Sequence, residues 1–331
     1  MTMWTKPVGI VGTGSFLPDN IVTNADLEKI VDTSDQWIRE RTGIEERRIV
    51  PEGMNASDMA TEAAKRALEA ANLTAEDIDC IIVATLTGDM SIPSTACLVQ
   101  ANLGAKRAAA YDLGAACSGF VYGLITAGSY VNSNIFKNVL VIGVEVLSRV
   151  LNWQDRSTCV LFGDGASAAI VSTVAEGYGM LGMDMGADGT GGMSLCIPSS
   201  GTAMVPNDQR VEEGLTYIHM DGPEVYKFAV KTMGRTVLTA LDHAGLELSD
   251  LDCFIPHQAN TRIIDSAAHR LKLPSDKVFV NLPKYGNTSA ASVGIALDEA
   301  LRSEFIKRDD IVAFAGFGAG LTWAGLVMKW Y

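Results

Sequence analysis

Short apolar runs alternate along the chain with stretches in which apolar residues recur at the spacing of a helix. The runs DCIIVATL, RAAAYDLG and NVLVIGVEV are apolar almost throughout, which is typical of strands buried on both faces of a sheet. Residues 95–102 and 118–132, which lie between these runs, carry the helical period. This alternation predicts an α/β fold in which largely parallel sheets are covered by helices.

The same pattern occurs twice in the chain. The stretches AANLTAEDIDCIIVA and HAGLELSDLDCFIPH are similar and align Cys80 with Cys253, an offset of 173 residues. The same offset aligns three further pairs of segments: 138–143 with 310–316, 58–73 with 231–246, and 8–14 with 181–187. One constant offset across four segments indicates an internal duplication.

We therefore expect two similar halves, residues 1–175 and 176–331, whose two mixed sheets pack around shared central helices. In α/β sheets, ligands bind beyond the carboxyl ends of the strands. Cys117 follows the predicted strand 108–113, and the equivalent position of the second half lies within GNTSAAS (286–292). The duplication thus predicts one composite site to which both halves contribute.

Composition and charge narrow the choice of partners. The 331 residues carry 26 basic and 39 acidic side chains, and the net charge of −13 argues against nucleic acid as the main partner. No uncharged apolar run approaches the roughly 18 residues that a membrane helix needs. The first residues lack the basic and apolar segments of a signal peptide. We expect a cytoplasmic protein with no membrane or nucleic-acid partner; an acidic partner would need a local basic patch.

The cysteines indicate thiol chemistry at one position. None of the six forms a CxxC pair, so we expect neither a zinc site nor a dithiol motif, and the thiols are too sparse for a disulfide scaffold. Cys117 lies among small residues in DLGAACSGF, where a helix begins. The positive end of a helix dipole lowers a thiol pKa, which predicts a reactive thiolate. A packed core cysteine is the alternative that the residue alone leaves open.

Two further polar residues lie where a site is expected. His257 ends the apolar run of IPHQAN at a predicted strand end, and the repeat places it over Ala84, so the strand itself requires no histidine. Asn287 lies in KYGNTSAAS, where it is either a simple helix cap or a donor. Together with Cys117, at corresponding strand ends, they form a plausible nucleophile with two hydrogen-bond donors.

Other motifs leave two interpretations each. The glycines of GFGAGLTW (316–323) form either a bend or a set of backbone donors for an oxyanion. Trp37 and Arg41 share a helix face, and with Arg156 they are able to stack on a base and pair with phosphates, although a core tryptophan with surface arginines is the simpler interpretation. A dinucleotide motif in GIVGTGSFLP is rejected because Leu17 replaces its third glycine.

In this order, DLGAACSGF, IPHQANTRI, GNTSAAS and GFGAGLTW resemble β-ketoacyl-acyl carrier protein synthase III, the initiating condensing enzyme of type II fatty acid synthesis. The resemblance covers the whole chain and includes DTSDQWIRERTGI and LFGDGASAA. It implies the thiolase fold, a duplicated α/β architecture with αβαβα layers, and a homodimer. It also implies a short acyl-CoA and malonyl-acyl carrier protein as substrates, with no metal and no other cofactor.

The resemblance also implies the site residues. Cys117 matches the acyl-accepting nucleophile, and His257 and Asn287 complete the triad. The backbone N–H groups of Cys117 and Ala319 match the oxyanion hole. Coenzyme A contacts are implied for Thr33, Trp37, Arg41, Arg156 and Asn260, and carrier-protein contacts for Arg262, Arg270 and Lys227. Trp37 and Arg156 match the pair that encloses the adenine.

Three positions depart from the family pattern. Ala319 stands where glycine is usual, and Ile92 stands where many members carry a phenylalanine that the partner subunit places against the primer pocket. His269 and Arg270 replace a lysine pair near the carrier-docking arginine. The second of these departures predicts a primer pocket of different shape, and with it a primer other than acetyl.

Rival functions remain at this point. The nearest is a synthase III-like condensing enzyme of polyketide, quinolone or other secondary metabolism. A thiolase needs a second cysteine in the glycine-rich loop, which GFGAG lacks, and no catalytic glutamate of a hydroxymethylglutaryl-CoA synthase is placed. A non-catalytic thiolase-fold partner of a carrier protein is a further alternative, but the intact Cys–His–Asn set counts against it.

Overall fold

The structure, a computed structural model, describes residues 4–331. The strands of this part of the chain are β1 Val8–Phe16, β2 Ile21–Thr23, β3 Glu46–Arg48, β4 Cys80–Ala84, β5 Ala109–Leu113, β6 Val139–Glu145, β7 Gly165–Thr173, β8 Gly179–Ala187, β9 Leu195–Cys196, β10 His219–Met220, β11 Cys253–Pro256, β12 Ile311–Gly318 and β13 Thr322–Lys329. The α-helices are α1 Asn24–Leu27, α2 Asp35–Thr42, α3 Ala56–Ala71, α4 Thr95–Leu103, α5 Gly119–Asn132, α6 Asp208–Glu212, α7 Gly222–Ala244, α8 Thr261–Arg270, α9 Leu282–Tyr285 and α10 Ser292–Arg302.

The first half of the chain forms a mixed five-stranded sheet in the order β1-β7-β6-β4-β5. β4 pairs in parallel with both β5 and β6, and β7 runs antiparallel to β6 and β1. Ile81 and Val83 of β4 face one hydrophobic cluster, and Cys80 and Ile82 face another. Because both faces are buried, the strand is apolar without alternation, as its sequence predicts.

The second half forms a four-stranded sheet in the order β11-β12-β13-β8, in which β11 and β12 are parallel. This sheet has no strand equivalent to β5: the corresponding region of the second half contains α9, which has Pro283 in its first turn. Proline has no N–H to donate to a ladder, so this segment turns as a helix instead. The prediction that Asn287 lies at a strand end is therefore wrong, since it follows α9.

Three hydrophobic clusters define the layers. The central helices α5 and α10 lie between the two sheets and share one cluster with strands of both. α3 covers the outer face of the first sheet, and α7 and α8 cover the outer face of the second. The predicted arrangement of two mixed sheets around central helices is confirmed. Since this central core is common to both halves, the division at residue 175 stays a prediction.

The duplication is visible at the centre of the molecule. A short 3₁₀ turn, Ala116–Ser118, precedes α5, and a second one, Ser289–Ala291, precedes α10 at the same offset of 173 residues. Ala116 and Ser289, which begin these turns, both have φ 47°. The two turns pack against each other across the interface between the halves. The fold therefore brings equivalent backbone segments together at one point.

Equivalent glycines allow this close packing. A Cβ on Gly143 would lie 2.3 Å from the Ala290 carbonyl oxygen, and one on Gly316 would lie 3.0 Å from the Cα of Ser118. Each glycine thus admits the turn of the other half. Within residues 4–331, none of the helices has the length and apolarity required to cross a membrane.

Candidate active site

Cys117 lies in the first of the two central turns, directly before α5, and is 7% exposed. The end of β12 packs against its backbone, since a Cβ on Gly318 would lie 2.5 Å from the Cys117 nitrogen. The thiol donates to Ser289 Oγ at 3.4 Å. The glycine-rich segment after β11 therefore has a third explanation besides a bend or a set of donors: it lets the Cys117 turn sit directly on the strand.

The protonation state of Cys117 differs from the sequence-based expectation. Burial raises the pKa of its thiol to about 12, and the nearby Glu145 raises this pKa further, while the bond to Ser289 lowers it. The prediction that the helix start lowers the pKa is wrong for the protein without ligand, because desolvation outweighs the dipole. The resting nucleophile is a thiol.

His257 follows β11 and is 1% exposed. Its backbone N–H donates to the Ala315 carbonyl, and its Nδ1 lies 2.6 Å from Ser292 Oγ. The Phe317 ring packs edge-on against the imidazole at 5.3 Å. Burial lowers the pKa of His257 to about 3, so the ring is neutral near pH 7. With Nδ1 facing the Ser292 hydroxyl, Nε2 is left to act on a ligand.

Asn287 follows Gly286, whose φ of 63° turns the chain inward. Its backbone N–H donates to the Leu161 carbonyl, and its Oδ1 accepts the N–H of Ser289 at 2.8 Å. Because this bond assigns the oxygen of the side-chain amide, the NH2 group is the end available to a ligand. Asn287 thus presents a donor with fixed orientation.

Cys117, His257 and Asn287 line one cavity of about 480 Å³. Trp37, Arg41 and Asn260 line the same cavity. A second cavity of about 240 Å³ also reaches Cys117, and its wall is mainly apolar: Leu147, Val150, Phe162, Leu195, Ile197 and Ile218. Cys117 therefore stands between a mixed channel and an apolar pocket, an arrangement suited to a nucleophile that receives an apolar group from a larger carrier molecule.

Ala319, at the end of β12, lines the apolar cavity beside Cys117. It does not adopt a positive φ, so an alanine side chain is accommodated there without the backbone strain that would require glycine. The expected backbone donor at position 319 is thus compatible with alanine. Cis peptide geometry follows at Gly320–Leu321.

The sequence matches two family descriptions. Residues 111–189 match 3-oxoacyl-[acyl-carrier-protein (ACP)] synthase III, and residues 241–330 match the C-terminal part of that synthase. The β-ketoacyl-[acyl-carrier-protein] synthase III of Caldanaerobacter subterraneus subsp. tengcongensis is 60% identical over 322 residues, which cover 97% of each chain. The chain belongs to the β-ketoacyl-acyl carrier protein synthase III family.

Solved structures agree with membership of the synthase III family. The 3-oxoacyl-[acyl-carrier-protein] synthase III of Aquifex aeolicus has a TM-score of 0.90 at 48% identity, over 98% of this chain and 100% of that one. The priming β-ketosynthase of the R1128 polyketide pathway has a TM-score of 0.91 at 37% identity, over 98% and 96%. The predicted thiolase fold is confirmed. So is the predicted activity class: the chain is an acyltransferase, a condensing enzyme of the family that initiates fatty acid synthesis.

The residues expected to contact coenzyme A in a synthase III lie at the outer end of the larger cavity. Arg41 and Arg156 both lie over the Trp37 ring, at 4.9 and 5.1 Å from its centroid. Asn260 caps α8 by accepting the Arg262 N–H and donates to the Arg41 carbonyl, so both ends of its amide are engaged.

Thr33 precedes α2 near this end of the channel. Its Oγ1 is buried and has no hydrogen-bond partner among the residues that the structure describes. The helix cap itself is the neighbouring Ser34, which accepts the Trp37 N–H. The Thr33 hydroxyl is therefore not used by the local fold.

The residues expected to bind the carrier protein lie on adjacent helices. Lys227 of α7 and Arg262 and Arg270 of α8 are exposed, and Arg262 follows the cavity residue Asn260 by two positions. Ile92, in contrast, lines neither cavity and is 86% exposed. The structure of one chain thus leaves the primer-pocket role of Ile92 a prediction.

Three polar residues of the site were not singled out from sequence: Ser289, Ser292 and Glu145. Ser289 is the repeat equivalent of Ala116, a difference between the halves that was a usable signal. Glu145 is the one charged residue in the apolar run NVLVIGVEV, and a lone charge in a buried strand is also a signal. The partners of these residues lie far away in sequence, which is why the residues themselves did not stand out.

Acidification from about pH 7.5 to about pH 5 is expected to cost the folded protein about 2 kcal/mol through His257. The folded-state pKa lies below the unfolded value, so the unfolded chain gains the proton first and stability is lost as the pH falls below about 6.5. Urea unfolding of wild type and His257→Gln at both pH values measures this difference. Glu145 acts in the opposite direction but is present in both proteins. Equal pH dependence of the two proteins would contradict the assignment.

Proposed function

We propose that the chain condenses a short acyl-CoA with malonyl-acyl carrier protein by decarboxylation, to give 3-oxoacyl-acyl carrier protein, CoA and CO2. One observation carries this proposal: Cys117 lies where an apolar cavity and a channel lined by His257 and Asn287 meet. An acyl group transferred to this sulfur has an apolar pocket beside it. The channel serves first the pantetheine arm of CoA and then that of the carrier protein.

In the first step, the Cys117 sulfur attacks the thioester carbonyl of the acyl-CoA. The carbonyl oxygen gains negative charge, and the backbone N–H groups of Cys117 and Ala319 are proposed to stabilise it. The C–S bond to CoA then breaks and the acyl group remains on Cys117. Because the resting nucleophile is a thiol, its proton must leave as the new C–S bond forms.

In the second step, malonyl carried on the carrier protein occupies the channel. The neutral His257 donates from Nε2, and Asn287 donates from its NH2 group, to the thioester carbonyl of the malonyl unit. These two bonds stabilise the enolate that forms as CO2 leaves. The carbanion attacks the acyl-cysteine and releases the product. Loss of CO2 drives the reaction, so the proposed chemistry requires no metal or redox cofactor.

The nucleotide of CoA is proposed to bind at the outer end of the channel, where the adenine inserts between Trp37 and Arg156. Arg156 now lies over the ring and donates to the Asp32 carbonyl. It is 48% exposed, which allows it to swing outward to admit a base. The Thr33 hydroxyl and Arg41 are then available to the nucleotide, and Asn260 lies along the pantetheine arm.

The carrier protein is proposed to dock on the face formed by Lys227, Arg262 and Arg270. The chain as a whole is acidic, so an acidic carrier is attracted only by a local basic patch. This patch adjoins the mouth of the channel through Asn260. Such a carrier is a cytoplasmic partner, which is the compartment that we propose for this chain.

A homodimer is proposed on the edge of the first sheet. β5 has a single neighbour, β4, so its outer edge has unpaired backbone groups. The following apolar side chains of the loop after β4 are exposed: Leu86, Met90 and Ile92. An exposed apolar loop and an open strand edge are typical of a surface that a partner covers. In such a dimer, Ile92 is expected to reach the primer pocket of the partner.

A primer panel tests the proposed function. Straight and branched acyl-CoAs are incubated with the protein, the mass of the Cys117 peptide is measured, and malonyl-acyl carrier protein is then added. We expect one acyl mass on this peptide and a 3-oxoacyl product, with primers longer or more branched than acetyl accepted because acetyl fills little of the 240 Å³ cavity. The Ile92→Phe variant is expected to shift preference toward acetyl. Absence of an adduct with every primer would overturn the proposal.

A secondary-metabolite condensing enzyme is the second candidate, because the similar priming ketosynthase of the R1128 pathway belongs to polyketide synthesis. It requires the same triad and differs in primer or carrier. The same panel, repeated with a polyketide carrier protein as the acceptor, separates the two functions by the ratio of kcat/KM values.

A further inference from the structure

A carboxyl group lies behind the proposed nucleophile and has no role in the reaction described so far. Glu145, the last residue of β6, is fully buried. Its carboxylate accepts the N–H groups of Leu86 and Thr87 and the Thr87 hydroxyl. Within residues 4–331, no lysine, arginine or histidine forms an ion pair with it. A buried carboxylate without a cation is costly, so a purely structural role would be served better by a neutral side chain.

A continuous path of hydrogen bonds joins this carboxyl to the nucleophile. The Cys117 thiol donates to Ser289 Oγ at 3.4 Å, and Ser289 Oγ donates to Glu145 Oε1 at 3.2 Å. Ser289 is held in place because its N–H donates to Asn287 Oδ1. The path therefore has the donor order S–H, O–H, carboxylate that a proton relay needs.

The electrostatics of the pair favour transfer in this direction. Burial raises the pKa of Glu145 to about 7, which makes it an effective proton acceptor near neutral pH. Cys117 is a thiol at rest, so a free thiolate is too scarce to sustain rapid attack. Transfer of the proton while the new C–S bond forms avoids that species.

We propose that Glu145 is the proton acceptor for Cys117 during acylation, and that Ser289 passes the proton between them. The proposal rests on the proposed acyl-cysteine chemistry. As sulfur attacks the thioester, the thiol proton moves to Ser289 Oγ and the Ser289 hydroxyl proton moves to the Glu145 carboxylate. When the C–S bond to CoA breaks, the proton returns through Ser289 to the departing CoA thiolate. Glu145 ends as a carboxylate, and no oxidant or further reactant is consumed.

The surroundings of Glu145 leave one titratable partner. The elements packed around it are the loop 85–87, the turn Ser289–Ala291 and the turn Ala116–Ser118, and of these only the last contains a titratable side chain, Cys117. Arg149, four residues further along, instead bonds Asn55 and the Met54 carbonyl. A pH effect on acylation near neutrality is therefore assigned to Glu145.

Three variants test the relay. Glu145→Gln preserves size and removes the acceptor. Ser289→Ala breaks the path, and alanine tolerates this backbone because Ala116 has the same φ of 47° at the equivalent position. Asp164→Asn is the matched control: Asp164 is also a buried carboxyl, bonded to Ser148 and the Val50 N–H, without a bond to Cys117 or Ser289.

Single-turnover acylation of Cys117 by an accepted acyl-CoA is measured between about pH 5.5 and about pH 9, together with malonyl decarboxylation. We expect the wild-type acylation rate to rise through about pH 7. Glu145→Gln and Ser289→Ala should lower it by about 10²-fold and remove that rise, while decarboxylation and the control stay within about threefold of wild type.

Wild-type acylation rates and pH profiles in both relay variants would overturn the relay and leave the proposed function intact. Equal loss of acylation and decarboxylation would also overturn it, because it would indicate a disturbed site. If Glu145→Gln does not fold, Ser289→Ala alone decides. Failure of the wild type to form any adduct would overturn the proposed function together with the relay.

Discussion

Replacement of Cys117 by serine is expected to abolish condensation, with a fall in rate of at least about 10⁴-fold. A serine hydroxyl is a far weaker nucleophile than a thiol, and its proton is harder to remove in a fully buried position. Because Ser118 and Gly318 hold the turn through its backbone, the variant should fold. The measurement is the formation of 3-oxoacyl-acyl carrier protein, together with the mass of the peptide that contains residue 117.

Cys97→Ser is the control for this prediction, since Cys97 is also a free thiol but is exposed and lies outside both cavities. It should retain wild-type activity and the adduct on Cys117. An acyl adduct on another cysteine in Cys117→Ser, with condensation preserved, would show that the nucleophile has been assigned to the wrong residue.

Removal of either donor should impair the second half of the reaction selectively. His257→Ala and Asn287→Ala are each expected to slow malonyl decarboxylation by about 10²- to 10³-fold, because one hydrogen bond to the developing enolate is lost. Acylation of Cys117 should remain within about tenfold of wild type, since neither side chain bonds the sulfur. Decarboxylation is followed by release of CO2 from malonyl-acyl carrier protein.

Asn287→Asp sharpens the second prediction. The carboxylate still accepts the Ser289 N–H, but it has no NH2 to donate, so the variant separates a donor role from a role in holding the turn. We expect it to be at least as impaired as Asn287→Ala. Decarboxylation at the wild-type rate in His257→Ala and in both Asn287 variants would refute the roles proposed for these donors.

Much of the fold follows from local sequence patterns. The unbroken apolar runs correspond to β4, β5 and β6, and the helical periods correspond to α4 and α5. The offset of 173 residues predicts equivalent turns before α5 and α10, and both lie where it places them. These inferences succeed because strand and helix periods depend on neighbouring residues, and because a duplication repeats the whole pattern.

The two errors concern features that neighbouring residues do not determine. Asn287 was assigned to a strand end by analogy with the first half, but Pro283 begins a short helix there. The pKa of Cys117 was expected to be low from its position before a helix, but burial by segments from both halves raises it. In each case the deciding contact joins distant parts of the chain.

The sequence was sufficient for the duplicated α/β halves, for the family and for the candidate nucleophile with its two donors. These conclusions rest on residue types, periods and motif order, which are properties of the chain before it folds. The tertiary structure was needed for the environment of the sulfur: its place between two cavities, its protonation as a thiol, and its path through Ser289 to Glu145. Glu145 and Ser289 are 144 residues apart, and Cys117 and Ser289 are 172 apart. Hydrogen bonds over such separations, and the loss of water around them, exist only once the two halves have packed together.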